Sequence, residues 1–205
     1  MTPPTVLTIG HSTHPFERFL ALLDAHGVTA VADVRSAPYS RFQPQFNREP
    51  VQQALKEHGI AYVFLGRELG ARSEDRACYE DGRVQYRKLA GTDLFQSGLE
   101  RVVQGAHSHR LALLCAEKEP LDCHRTFLVG RELEARGVSV AHIHADGRLE
   151  THAEVLTRLL AVLGIPDADL FKTREQLIEE ACALQEARIA YVDPDLRAAA
   201  GEGPP

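Results

Sequence analysis

Short apolar runs rich in valine, isoleucine, leucine and alanine alternate along this chain with segments whose apolar residues recur three and four positions apart. The first pattern is that of buried strands, the second that of amphipathic helices. Val6–Ile9 is an apolar run closed by Gly10. Phe16–His26 places Phe16, Phe19, Leu20, Leu22 and Leu23 at helical spacing, and Gly27 stops it. Val28–Val34 predicts a second strand and Pro50–His58 a helix, with Asn47 as candidate cap and Gly59 as stop. Ile60–Leu65 predicts a third strand. Leu94–Val103, Thr126–Ala135 and His152–Leu163 read as helices, with strands at Leu111–Leu114 and Val138–Ile143.

Five predicted strands separated by helices argue for an α/β, Rossmann-like fold: one domain over residues 5–165 with a mainly parallel sheet flanked by helices. Its crossovers are expected to be right-handed. Arg174–Tyr191 carries a further helical pattern, so residues 166–205 are expected to form a helical extension with a frayed end at Gly201–Pro205. That helix is a candidate surface for a homo-oligomer. Two long connections interrupt the alternation, Ser36–Asn47 and Gly66–Thr92. Connections of this length are uncommon in compact domains unless they serve a site. Both follow predicted strands, so both are expected at the sheet edge where the 111–114 strand ends, positioned as lids.

That edge is where α/β folds bind ligands, and the chemistry there is dense. The stretch LALLCAEKEPLDCHRTFLV brings Cys115, Glu117, Cys123, His124 and Arg125 within eleven residues, between a strand and a helix. Three readings follow. A thiol at a helix N-terminus near Arg125 is a candidate nucleophile, because that field favours thiolate. Cys115, Cys123, His124 and His11 are candidate ligands for zinc or another transition metal, although C-x7-C-H is wider than the usual pairs. The two thiols could also form a redox disulfide. The structural alternative makes Cys115 a buried small residue and joins Glu117 to Arg125 across the turn. Such a number of polar groups at one buried junction favours function. Elsewhere, His11 and Ser12 follow the first strand, where His11 can act as a base. Asp33 and Arg35 share one face at the end of the second strand, either as an ion pair or with Arg35 free to clamp an anion. His142 and His144 read as polar residues near a strand end, and Cys78 and Cys182 as ordinary thiols.

The bulk properties narrow the class. The chain has 205 residues, 44% of them hydrophobic and 25% charged, as in a globular protein. No apolar run is long enough to span a bilayer, and the N-terminus lacks the pattern of a secretion signal. A cytoplasmic location with reduced cysteines is therefore expected. A net charge of −6 argues against coating nucleic acid by bulk electrostatics. It leaves room for a local cationic cleft in residues 35–88. No phosphate-cradling glycine loop and no C-x5-R phosphatase signature is present.

In these residues the chain resembles the DUF488 family. The resemblance rests on Thr8-Ile9-Gly10-His11-Ser12, on Asp33-Val34-Arg35 with Pro38 and Ser40, and on Gly59-Ile60 with Tyr62. It continues through Leu65-Gly66, Leu69-Gly70, Cys115-Ala116-Glu117 and Cys123-His124-Arg125, and so covers roughly residues 5–145. Ala71 departs from it, in a place where a further glycine-like turn residue is expected. The resemblance implies an α/β fold and a loose association with nucleic-acid metabolism, and it supplies no reaction.

The leading expectation is an enzyme acting on a phosphate-bearing substrate, a nucleotide or nucleic-acid end. Cys115, Glu117, Cys123, His124, His11 and Asp33 would be its catalytic set, with Arg35, Arg125, Ser12, Ser40 and Tyr62 binding the substrate. Two other expectations stand beside it: a non-catalytic nucleotide- or nucleic-acid-binding module, and a thiol redox or metal-binding structural module.

Overall fold

The computed structural model describes residues 4–201, with side chains through residue 198. Apart from the backbone of Gly201, the expectation for Gly201–Pro205 falls outside the described residues. The chain forms β1 (Thr5–Gly10), α1 (Phe16–Ala25), β2 (Ala30–Asp33), α2 (Arg48–Glu57), β3 (Ala61–Phe64) and the short α3 (Gly66–Leu69). A hairpin of β4 (Tyr79–Glu80) and β5 (Arg83–Val84) follows, then α4 (Tyr86–Ala90), α5 (Asp93–Ser108) and β6 (Leu111–Cys115). A π-helical segment, Arg125–Gly130, runs into α6 (Arg131–Ala135). Then come β7 (Ser139–Ile143), β8 (Leu149–Thr151), α7 (His152–Leu163), α8 (Arg174–Ile189) and α9 (Pro194–Gly201).

The sheet is six-stranded in the order β3-β2-β6-β1-β7-β8. All pairings are parallel except β7 with β8. The α/β architecture is the expected one, with two corrections. The sequence pattern misses β8, three residues of which only Glu150 is buried. It also treats Gly66–Thr92 as a loop, whereas that segment holds α3, a hairpin and α4. No helix among the described residues is long and apolar enough to cross a membrane.

The strand pattern sorts the core into two layers. Leu7, Ile9, Val31, Ala112 and Leu114 face α1 and α2, where Phe19, Leu23, Val51 and Leu55 cover them. Val6, Ala32, Leu113 and Val140 face the opposite way, onto Phe95, Leu99, Phe127, Leu133, Leu159 and Ala181. Leu177, Ala181 and Cys182 of α8 belong to that second layer.

This sorting locates the site. β1 and β6 are neighbours, yet the helix after β1 covers one face and the helix after β6 the other. Adjacent strands whose connections leave in opposite directions open a crevice at their carboxyl ends. There the backbone continues to pair, with His11 N–H donating to the Cys115 carbonyl at 3.0 Å and Ser12 N–H to the Ala116 carbonyl at 2.9 Å. Gly10 makes this approach feasible. A Cβ there would lie 1.7 Å from the Glu117 carbonyl oxygen, so no side chain fits. Gly10→Ala is therefore expected to destabilise the fold by about 3 kcal/mol, the upper range for overpacking, in urea unfolding. A variant as stable as the parent would contradict this placement of the Glu117 turn.

Candidate functional site

Three segments deliver the site. Cys115 ends β6, Glu117 lies on the turn that follows, and Cys123 and His124 open the helix. One donor atom from each of these four residues falls in a group no wider than 4.8 Å. The Cys115 and Cys123 thiols donate to the same Glu117 carboxylate oxygen, Oε2, at 2.9 and 3.0 Å. His124 Nδ1 stands 3.6 Å from Cys115 Sγ and 3.9 Å from Cys123 Sγ. Its other nitrogen, Nε2, lies 3.1 Å from the Val34 carbonyl oxygen. A carbonyl only accepts, so Nε2 carries a proton; Nδ1 faces the sulfurs and offers them a lone pair only in the neutral ring.

The helix start is unusual. Arg125–Gly130 winds as a π-helix, with all six residues buried. Such segments are rare and recur at functional sites. Arg125 is fully buried. Its guanidinium donates to the carbonyls of Glu117 at 2.6 Å and Lys118 at 3.1 Å. Arg158 holds the next residue of the turn, donating to Glu119 at 2.7 Å while also binding Glu150. Two arginines thus fix the Glu117 turn from behind.

Burial opposes ionisation of every group in the cluster, and the local contacts decide the outcome. For Cys123, hydrogen bonding from Cys115 and the charge of Arg125 outweigh burial and lower the pKa. For Cys115, burial and the neighbouring Cys123 both raise it. Against its burial, Glu117 is held down to about 2 by the two thiol hydrogen bonds. His124 is raised despite burial, because it faces Cys123 and Glu117.

The cluster opens into a cleft of about 230 Å3 whose walls include Cys115, Glu117 and His124. Arg35, Arg72, Tyr86, Asp122 and Tyr191 complete it. A larger hollow of about 760 Å3 lies between β2, β3 and α5, but its walls are mainly apolar and hold none of the cluster.

The other residues singled out in the sequence divide clearly. Asp33 and Arg35 form a bidentate pair, Nε to Oδ1 at 2.8 Å and NH2 to Oδ2 at 2.6 Å, and Tyr62 donates to Asp33 Oδ2 at 2.8 Å. Arg35 borders the cleft with its charge already paired. His11 lies outside the four-residue group: it stacks on Phe46 with ring centroids 4.4 Å apart, and its Nδ1 donates to the Ser12 carbonyl. The fourth donor near the sulfurs is thus Glu117 and not His11. Ser12, with φ of 49°, contributes through its backbone. Ser40 closes its own loop, its Oγ accepting from the amides of Phe42 and Gln43. Arg125, expected to bind substrate, instead holds backbone. Asn47 makes no cap bond to α2; its Oδ1 accepts from Ser40 N–H at 2.7 Å. His142 is buried against Thr8 at 2.8 Å and His152 at 3.3 Å, and His144 pairs with Glu150.

Five polar wall residues escaped the sequence reading as site members: Arg72, Tyr86, Asp122, Tyr191 and Ser36. The first two lie in the flagged Gly66–Thr92 insertion. Asp122 sits inside the flagged motif. Tyr191 had no signal at all, because its place in the wall depends on pairing with the hairpin. Val84 N–H donates to its carbonyl at 3.0 Å.

Burial gives one solution test. It lowers the pKa of His11, and that of His152, to about 4 from the ordinary 6.5. Their stabilising effect is complete above pH 6.5 and is lost as pH falls toward 4, because the unfolded chain takes up those protons first. Unfolding free energy is expected to drop by roughly 3 kcal/mol per histidine across that window. His11→Asn should flatten the slope in denaturant titrations at graded pH. An unchanged slope would contradict the buried, neutral His11.

A family model described as a domain of unknown function, DUF488, matches residues 15–131. No curated protein matches the chain.

Proposed function

Because the chain belongs to the DUF488 family, whose description assigns no activity, we propose a function from the site itself: a transition-metal centre, most simply zinc, that serves an enzyme acting on a small phosphate-bearing substrate in the adjoining cleft. One observation carries this reading. Four side chains of types that zinc binds, two thiols, an imidazole and a carboxylate, place one donor atom each within 4.8 Å of one another.

The donor set passes two tests of fit. In a tetrahedron with bonds of about 2.0–2.3 Å, neighbouring sulfur and nitrogen ligands lie roughly 3.5–3.8 Å apart. His124 Nδ1 lies 3.6 Å from Cys115 Sγ, inside that range, and 3.9 Å from Cys123 Sγ, just beyond it. The second test is charge. With the Glu117 carboxylate balanced by the Arg125 guanidinium, the two buried cysteines, once deprotonated as metal ligands, carry a double negative charge. A divalent cation neutralises it. The Val34 carbonyl that orients His124 is the kind of outer partner that metal-binding histidines use.

In this reading Cys115, Cys123 and His124 would hold the metal, and the Glu117 carboxylate, the remaining donor of the group, would serve beside it as a base and not as a ligand. A bound zinc ion would supply water of lowered pKa and a Lewis acid. Glu117 takes and returns the proton. Arg72 is exposed and forms no ion pair among the described residues, so it is the free cation for an anionic group at the mouth. The cleft is smaller than the roughly 300–1,000 Å3 of drug-sized sites, so it admits one moiety of a nucleotide and not the whole.

Elemental analysis of protein purified without a metal-affinity tag tests the reading. About one zinc per chain is expected, falling at least tenfold in Cys115→Ser and His124→Ala variants. Metal-free protein whose Cys115 and Cys123 interconvert reversibly between thiols and a disulfide would replace this reading with the redox one, which the shared Glu117 contact of the two sulfurs favours.

A further inference from the structure

The cleft holds more than the metal reading uses. Tyr86 is buried, and its hydroxyl makes no hydrogen bond among the described residues. Asp122 also lines the cleft, as an exposed carboxylate with no hydrogen-bond or ion-pair partner among the described residues. Opposite the cluster, the Arg72 guanidinium lies 4.6 Å from the centre of the Tyr191 ring. Tyr191 is held there by the hairpin, and Asp193 N–H, two residues on, donates to the Gly82 carbonyl at 2.7 Å. The cleft therefore offers a flat aromatic wall, one hydroxyl donor, one carboxylate acceptor and one unpaired cation at its mouth.

The reactive centre narrows the chemistry further. Phosphoryl transfer by metal ions typically uses hard, oxygen-ligated ions, often in pairs. Two thiols and an imidazole around a single position suit attack at carbon instead. Zinc deaminases acting on nucleobases use a histidine or cysteine ligand, a glutamate two residues later that is not a ligand, and a cysteine pair after a proline. Cys115-Ala116-Glu117 has that ligand-to-glutamate spacing, and Pro120 precedes Cys123 and His124. The second ligand pair is a departure, with Cys123 and His124 adjacent in sequence. About 230 Å3 suits a single planar ring better than a fused pair.

We infer that the cleft takes the base of a cytosine nucleotide and that the enzyme deaminates it hydrolytically. The inference rests on the metal-centre reading. The water oxygen bonds to the ring carbon that bears the amine. Glu117 accepts one proton from that water and delivers it to the ring nitrogen beside the reacting carbon, then accepts the second from the new hydroxyl and delivers it to the amine nitrogen. The carbon–nitrogen bond then breaks, ammonia leaves and the ring carbonyl forms, with no change of oxidation state. Asp122 accepts from the amine, Tyr86 donates to the ring, the base lies along Tyr191, and Arg72 holds the phosphate.

The test uses the full chain with zinc bound. Cytidine 5′-monophosphate is expected to give ammonia and uridine 5′-monophosphate, with no inorganic phosphate. Binding provides a readout independent of turnover. By calorimetry, Arg72→Ala should weaken cytidine monophosphate roughly tenfold, the loss of one charge-assisted contact. Cytidine, which lacks the phosphate, should lose less affinity than the monophosphate, and the variant's zinc content should equal the parent's. Tyr191→Ala should weaken both ligands. Stoichiometric zinc with no cytidine monophosphate binding, or with phosphate released in place of ammonia, would overturn the substrate assignment and leave the metal centre standing. Absence of zinc would overturn both.

Discussion

Arg125 has no exposure to solvent and no carboxylate partner, and it spends its terminal nitrogens on two main-chain carbonyls of the turn that carries Glu117. Burying a cation costs several kcal/mol unless its surroundings answer the charge. Here the answer is the negative side of the cluster, Glu117 and Cys123, together with the two carbonyls. The same guanidinium therefore fixes the backbone of Glu117 and lowers the pKa of Cys123. The candidate site depends on that one interaction, because Glu117 is the residue both thiols touch and, with Cys115 and His124, one of the cluster residues that line the cleft.

The fold supplies the rest of the constraint. The helices after β1 and β6 leave the sheet on opposite faces, so the ends of these neighbouring strands are uncovered. Gly10 lets the Glu117 turn close over the end of β1, and Arg158 braces the turn through Glu119. The π-helical winding from Arg125 to Gly130 lies directly after the Cys123-His124 pair. Residues from both long insertions, Ser36 and Arg72 among them, close the cleft from above, and the segment after α8 adds Tyr191.

Much of this was legible in the sequence. Strands buried on both faces leave continuous apolar runs, so β1, β2, β6 and β7 stood out. The crowd of thiols, acid and imidazole between Cys115 and Arg125 marked the site before any geometry. What escaped has physical causes. Three-residue β8 carries too little pattern to read as a strand. A π-helix keeps nearly the apolar rhythm of an α-helix over six residues, so Arg125–Gly130 read as ordinary helix. A sequence does not say which way an arginine points: Arg125 faces inward to main chain, and Arg72 faces the cleft. His11 and Glu117 were both within reach of the sulfurs on paper, and only the closure of the turn over Gly10 selected Glu117.

X-ray absorption at the zinc edge, on protein as isolated, addresses the cluster most directly. The account predicts about two sulfur scatterers near 2.3 Å with nitrogen or oxygen neighbours near 2.0–2.1 Å, and loss of one sulfur in Cys123→Ser. A shell of nitrogen and oxygen alone, unchanged by that substitution, would contradict it.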